Sequence, residues 1–304
     1  MSSPFGRLVL IVDRRAGGID VPTVLNVLRQ RNLPNRSIEV NQSTEAAEAT
    51  RDALKTGERF IVAVGDDGTV HDVVNGMIEE DRPVGEGPIL GVLPANPDVD
   101  FIKTFGLPPD LERASGYLEG AGTFSIDLGK ITYVAGSPEA PRTSYFANAA
   151  EAGLSGSVLA RSERLHRWLG RAGYFTAFWT SVASYRLARG HVTVDGKSLD
   201  TSVRDFVVAN CQFHRGGLMI SPRSWPGDGL LDVLVMTGPK SEAFTDLPKM
   251  YRGEHLPHRH IVEMKGRSIA FEADRPLVVE ADGRVLGHTP ATFRLLRQPI
   301  SVKI

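Results

Sequence analysis

Val62-Ala63-Val64-Gly65-Asp66-Asp67-Gly68-Thr69 is the most informative stretch of the chain. Its first half continues Phe60-Ile61 as an unbroken run of β-formers, the pattern of a strand buried on both faces. Its second half is a turn of small and acidic residues, and from Val70 to Glu80 the spacing predicts a helix. The same alternation extends to either side. Leu8 to Val12 reads as a strand, followed by a turn at Ala16-Gly17-Gly18. An amphipathic helix follows over Val21–Arg31, with Val21, Val24, Leu25 and Leu28 on one face. Ser37–Val40 and Ile89–Leu93 read as strands, and Ser43–Thr56 as a capped helix. Strands alternating with helices predict an α/β domain, a parallel sheet with helices on both faces.

Beyond about Gly129 the alternation stops. Short β-rich runs follow at Lys130–Val134, Ser144–Ala149, His191–Val194, Arg204–Cys211, Gly229–Met236, Ser268–Glu272, Pro276–Glu280 and Thr292–Leu296. They predict a β-rich second domain, a sandwich or barrel, interrupted by one helical stretch over residues 158–187. The boundary falls near Asp127-Leu128-Gly129, giving units 1–127 and 128–304.

The 304 residues are 41% hydrophobic and 23% charged, enough apolar material for a core in each unit. A formal net charge of −1 argues against nucleic acid as a partner, because such binding needs concentrated positive charge. Cys211 is the single cysteine, so neither an intramolecular disulfide nor a cysteine-rich zinc site is expected, in keeping with a cytoplasmic protein. No run approaches the roughly 18 apolar residues that span a bilayer. Peripheral contact at the inner membrane face is the form of membrane association left open, as is a homodimer.

Glycines in the 65–69 turn let backbone N–H groups approach an anion, and the following helix adds partial positive charge. Thr69 offers a hydroxyl to a phosphate, and Asp67 a carboxylate to magnesium or its water shell. An ordinary turn with Asp66 or Asp67 as the helix cap accounts equally well for the local pattern. The stretch has neither the Gly-Lys-Ser/Thr ending of a Walker loop nor a dinucleotide Gly-x-Gly-x-x-Gly. Carried on to Asn75-Gly76, however, it resembles the Gly-Gly-Asp-Gly-Thr signature of the diacylglycerol kinase catalytic domain family, shared with sphingosine, ceramide and bacterial lipid kinases. Further segments resemble that family in the same order: Ile126-Asp127-Leu128-Gly129, Phe146-Ala147-Asn148, Gly216-Gly217 through Pro222, Asp228-Gly229-Leu230-Leu231-Asp232-Val233, Asp282-Gly283 and Thr289-Pro290.

The resemblance implies an ATP-binding α/β domain, a β-rich domain packed on it, and a substrate cleft between them. It implies transfer of the γ-phosphoryl group of ATP, with magnesium, to the hydroxyl of a lipid alcohol such as diacylglycerol. On this basis Gly65, Asp66, Asp67, Gly68 and Thr69, with Arg14, Arg15 and Asp100, would hold the nucleotide. Asp228, Leu230 and Asp232 would hold the metal, and Asp282 would be the catalytic base. The residues alone read Asp282-Gly283 as a hairpin tip, one way to present a base to a cleft.

The chain departs from the family pattern where nucleotide and metal should be held. Asp13-Arg14-Arg15-Ala16-Gly17 stands for Asn-Pro-x-Ser-Gly, and Asp66 for a glycine. Pro97 interrupts the Gly-Thr-x-Asn-Asp-Phe segment, Gly227 replaces an aspartate, and Arg284 replaces the glutamate after Asp282-Gly283. A carboxylate about 4 Å from a phosphate repels it by roughly 1 kcal/mol in water and more in a drier cleft, with Arg14 and Arg15 as nearby compensating charges. Arg284 beside Asp282 would make that carboxylate a weaker base. A family member that binds a ligand or regulates without catalysing is therefore the alternative. Two other clusters read as structural. Arg161, Arg164, Arg167 and Arg171 form a solvated helix face rather than a membrane stripe. His255, His258 and His260 form a polar loop rather than a metal site, since their run holds no acid or cysteine.

Overall fold

The computed structural model describes residues 4–304 apart from 19, 97, 98, 138 and 170, and the backbone alone at 163, 166–169, 171–175 and 243. Pro97 and the side chains of Arg167 and Arg171 thus lie outside the described residues. The N-terminal unit runs β1 (Leu8–Asp13), α1 (Val21–Gln30), β2 (Asn35–Val40), α2 (Ser43–Lys55), β3 (Phe60–Gly65) and α3 (Asp67–Met77). A two-strand ribbon follows, β4 (Ile78–Glu79) and β5 (Arg82–Pro83), then β6 (Ile89–Pro94), α4 (Phe101–Thr104) and α5 (Leu111–Tyr117). Strands β2, β1, β3 and β6 lie side by side in that order, all parallel. Alternation along each strand divides the core. Val9, Ile11, Ile61 and Ala63 pack with Ala53, Leu54, Val70 and Val74 of α2 and α3. Leu8, Leu10, Phe60 and Val62 pack with Val24 and Leu28 of α1, Ala114 of α5 and Leu118 just past it. Helices therefore cover both faces, as a parallel sheet whose inner strands, such as β3 and β6, are buried throughout requires.

The second unit opens with β7 (Thr123–Ala135), β8 (Ala140–Phe146) and β9 (Ala149–Gly153). The predicted long helix is two, α6 (Leu154–Leu169) and α7 (Arg171–Ser184). Then come β10 (Ala188–Val194), β11 (Lys197–Val203), β12 (Asp205–Ala209), β13 (Leu231–Met236), α8 (Glu242–Tyr251), β14 (Ile261–Gly266), β15 (Ser268–Ala273), β16 (Val278–Ala281) and β17 (Arg284–Lys303). These strands pack as a β-rich sandwich around Ile131, Phe146, Val192, Val208 and Phe293, with Phe206 stacked on Phe271 at 4.3 Å between ring centres. The 20-residue β17 pairs in turn with β16, β15 and β7. Its end, Ser301-Val302, runs parallel beside Ile89-Leu90 of β6, so the sheets of both units are hydrogen-bonded into one. The point between residues 127 and 128 lies inside β7.

Candidate functional site

The turn after β3 is built as a helix cap. Asp66 sits in extended backbone before α3 and accepts the Thr69 amide at 2.9 Å, while Thr69 Oγ1 accepts the Asp66 amide at 3.2 Å. This reciprocal box starts α3 at Asp67, one turn earlier than apolar spacing indicates. Thr69's hydroxyl proton is shared between Asp66 Oδ1 at 3.0 Å and Asp13 Oδ2 at 3.1 Å. Arg15 grips Asp13 through Nε and Nη2 at 2.9 and 2.6 Å and reaches Asp72 at 2.8 Å. Burial pushes the Asp13 carboxyl up, but Arg15's hydrogen bonds and charge outweigh it and hold the group below its ordinary value. Arg14 lies at the surface, 3.4 Å from Glu39.

Arg284 enters this network from the β16–β17 hairpin. It does not lie on Asp282. Its Nη2 donates to Asp72 at 2.8 Å and stands 3.4 Å from Asp13. A methyl carbon built on Gly68 would fall 2.5 Å from Arg284 Cζ, so the guanidinium covers the backbone of that glycine. Three carboxylates (Asp13, Asp66, Asp72) and two guanidiniums (Arg15, Arg284) therefore line the loop. Phosphate would meet cations that are already paired, and the loop fits it only by exchange of partners.

Asp67 turns the other way. Its carboxylate accepts the amides of Asp100 (2.9 and 3.0 Å) and Phe101 (2.9 Å). Burial, reinforced by the charge of Asp100, raises its pKa to about 7. Asp100 is fully buried and ties the two units together, accepting from Gly216 N at 2.6 Å, Gly217 N at 2.7 Å and Lys103 Nζ at 2.7 Å.

Opposite Asp67 stands a cluster that the sequence reading missed. Glu151 on β9 and Glu280 on β16 are paired neighbours across two strands. Arg215 bonds both at 2.9 Å, and His214 Nε2 lies 2.8 Å from Glu280. Burial alone would lower the His214 pKa, but Glu280 and Glu151 outweigh it and raise it to about 9. Glu280 is held low, because Arg215 and His214 overcome the cost of burying its charge. A lone Glu among small residues (Ala147–Ala152) and a Glu closing an apolar strand were the available signals. Asp67, Asp100, His214, Arg215 and Glu280 line a cleft of about 370 Å³ between the units. Glu151 and Arg215 also border an apolar cavity of about 100 Å³ lined by Leu154, Val158, Val207, Met236 and Met250.

The remaining site expectations lie apart from this cleft. Asp282, in left-handed backbone at φ 48°, is 1% exposed. Its oxygens accept the amides of Ala147, Asn148 and Ala149 at 2.9 to 3.0 Å, with His71 Nδ1 of α3 at 3.3 Å. Asp282 is thus a pin between the units and does not line the cleft. At the expected metal stretch, Lys265 Nζ lies 3.0 Å from Asp232 and 3.8 Å from Asp228. Asp228 Oδ1 accepts the Leu230 amide. An ammonium already supplies the positive charge there, and the stretch does not fit a divalent cation.

Residues 7–131 match the diacylglycerol kinase catalytic domain. Residues 148–304, more than half the chain, match the YegS C-terminal NAD kinase beta sandwich-like domain. A diacylglycerol kinase of Bacillus subtilis (strain 168) is 26% identical over 282 residues, covering 91% of this chain and 88% of that protein. One from Mycobacterium tuberculosis (strain ATCC 25618 / H37Rv) is 25% identical over 280 residues, covering 90% and 86%. The crystal structure of a diacylglycerol kinase from Bacillus anthracis str. Sterne matches with TM-score 0.73 over 99% of this chain and 97% of that one. Its 20% identity makes this a likeness of fold alone.

Two outcomes are expected. Asp282→Ala strips three buried amides of their acceptor, at about 1–3 kcal/mol each, and should lower the urea midpoint sharply. His214, raised from 6.5 to about 9, contributes stability that is fully present below pH 6.5 and is lost as pH rises through 9. Unfolding measured across that window should show the loss, and His214→Gln should flatten it.

Proposed function

Because the chain belongs to the family that joins a diacylglycerol kinase catalytic domain to a YegS-type C-terminal domain, we propose that it transfers the γ-phosphoryl group of ATP to the hydroxyl of a lipid alcohol such as diacylglycerol. The observation that carries this reading is the polar cleft bordered, across Glu151 and Arg215, by an apolar cavity. A lipid alcohol has the same two ends. Its hydroxyl belongs among Asp67, His214 and Glu280, and the first methylenes of its chain between Leu154, Val158 and Met250.

Asp67 takes the role of base in place of Asp282. With a pKa raised to about 7, it is matched to a neutral working pH. It accepts the acceptor hydroxyl's proton as that oxygen bonds to the γ-phosphorus and the bond to ADP breaks. Arg15 and Arg284 exchange Asp13 and Asp72 for phosphate oxygens, supplying two planar donors to the transferring charge. Magnesium enters as part of the donor substrate.

One observation favours a second reading. While Arg284 stays on Asp72 and Asp13, its guanidinium covers Gly68 and a phosphate cannot reach that backbone. A family member that binds an amphiphile without phosphorylating it would be built this way.

Calorimetric titration with ATP and ADP, with and without magnesium, followed by transfer of labelled γ-phosphate to mixed-lipid micelles, separates the two. The kinase reading expects phosphorylated lipid, a rate that rises with pH through about 7, and a loss of about a hundredfold or more in kcat for Asp67→Asn. Saturable lipid-alcohol binding without nucleotide binding at millimolar ATP would establish the second reading.

A further inference from the structure

Away from the cleft, α8 and the loop before β14 assemble a cluster that phosphoryl transfer does not use. Glu242 and Asp246 are four residues apart on α8, one helical turn, and so share a face. His258 and His260 come from the loop opposite. His260 Nδ1 lies 2.7 Å from Glu242 Oε1. His258 Nδ1 accepts the His260 amide at 3.2 Å, which puts the ring proton on Nε2, 3.9 Å from Asp246 Oδ1, so a metal at Nε2 requires the other tautomer. Ligand-type atoms of Glu242, His258 and His260 all fall within 4.8 Å of one another. The third histidine of the run, His255, turns inward to the Ile220 carbonyl at 3.1 Å and takes no part.

A second observation points to a cation. Glu242 Oε2 and Asp246 Oδ2 are both buried with no hydrogen-bond partner among the described residues, and Asp246 as a whole is only 3% exposed. A buried carboxylate oxygen without a donor is costly unless a positive charge faces it. The guanidinium nearest Glu242 is Arg259, 3.9 Å away on a side chain 79% exposed. Imidazole nitrogen with carboxylate oxygen is the donor set of borderline divalent metals, zinc above all.

We infer that Glu242, His258 and His260, with Asp246 beside His258, form a structural site for a first-row divalent transition metal, with zinc as the expected occupant. Tetrahedral ligands at roughly 2.0–2.2 Å from zinc stand about 3.3 Å apart, so Glu242, His258 and His260, now within 4.8 Å of one another, draw in further around the ion, and water fills the fourth position. The metal takes the place on Nδ1 that faces Glu242, and the neutral His260 ring carries its one proton on Nε2. His258 binds through Nε2 once its proton has moved to Nδ1, which frees the His260 amide from that nitrogen. Helix α8 carries Leu247 and Met250 into the apolar cavity and Tyr251 into the cleft. Zinc thus fastens one wall of both to the start of β14.

The test uses the full chain, stripped with a chelator and titrated with zinc by calorimetry, with cobalt as the visible-absorption probe. One zinc per chain is expected, with a melting temperature raised by about 5 °C at hundredfold excess over Kd. Cobalt should give the intense absorption of a four-coordinate site. Glu242→Gln and His260→Gln should each weaken zinc about tenfold or more, while His191→Gln, at an exposed histidine elsewhere, changes nothing. Absence of zinc and cobalt binding at submillimolar concentration overturns the inference, as does binding that His260→Gln leaves intact. Should that variant fail to fold, the cobalt spectrum of the unaltered chain decides it.

Discussion

Asp282 is the constraint on which the arrangement of the cleft rests. One buried carboxylate collects three consecutive amides from the turn between β8 and β9 and meets His71 of α3. A left-handed residue at a hairpin tip is costly unless its surroundings fix it, and these bonds do so. Two residues before it, Glu280 is delivered to the cleft; two residues after it, Arg284 is delivered to the loop at the start of α3. Both walls are therefore set by one pin. Asn75 strengthens the same seam, bonding both the amide and the carbonyl of Tyr145 on β8.

Around this pin, charge is arranged in closed pairs. Arg15 and Arg284 stand on Asp13 and Asp72, Arg215 and His214 on Glu151 and Glu280, Lys103 on Asp100, and Lys265 on Asp232. An anionic ligand at these residues thus trades with a resident carboxylate. The free energy of such a trade is the small difference between two charge-assisted pairs, so modest changes in geometry decide which side wins.

The N-terminal sheet was legible because parallel strands buried on both faces leave uninterrupted runs such as Phe60–Gly65 and Leu8–Asp13. Asp66 was legible as a cap for the same local reason: the side chain and its target are three residues apart. Strands β11 and β14 escaped notice because their exposed faces dilute the apolar pattern, as in Lys197–Val203. The cleft cluster was invisible for a different reason. Glu151, His214 and Glu280 come from three distant segments, and each alone resembles a polar residue at a strand end or in a loop. The histidine run was read from its own residues, and the acids that face it come from α8, outside the run itself.

The long strand β17 carries a consequence for how the chain is made. Sheet β2-β1-β3-β6 receives its next strand only from residues 301–302, while the intervening pairings of β17 tie it to β16, β15 and β7. During synthesis, the N-terminal unit emerges first but keeps the edge of β6 open until residues 301–302 have left the ribosome. An open parallel edge invites foreign strands. The contacts that close it span more than 200 residues, so completion of the first unit waits on the last, and the molecule matures as a whole.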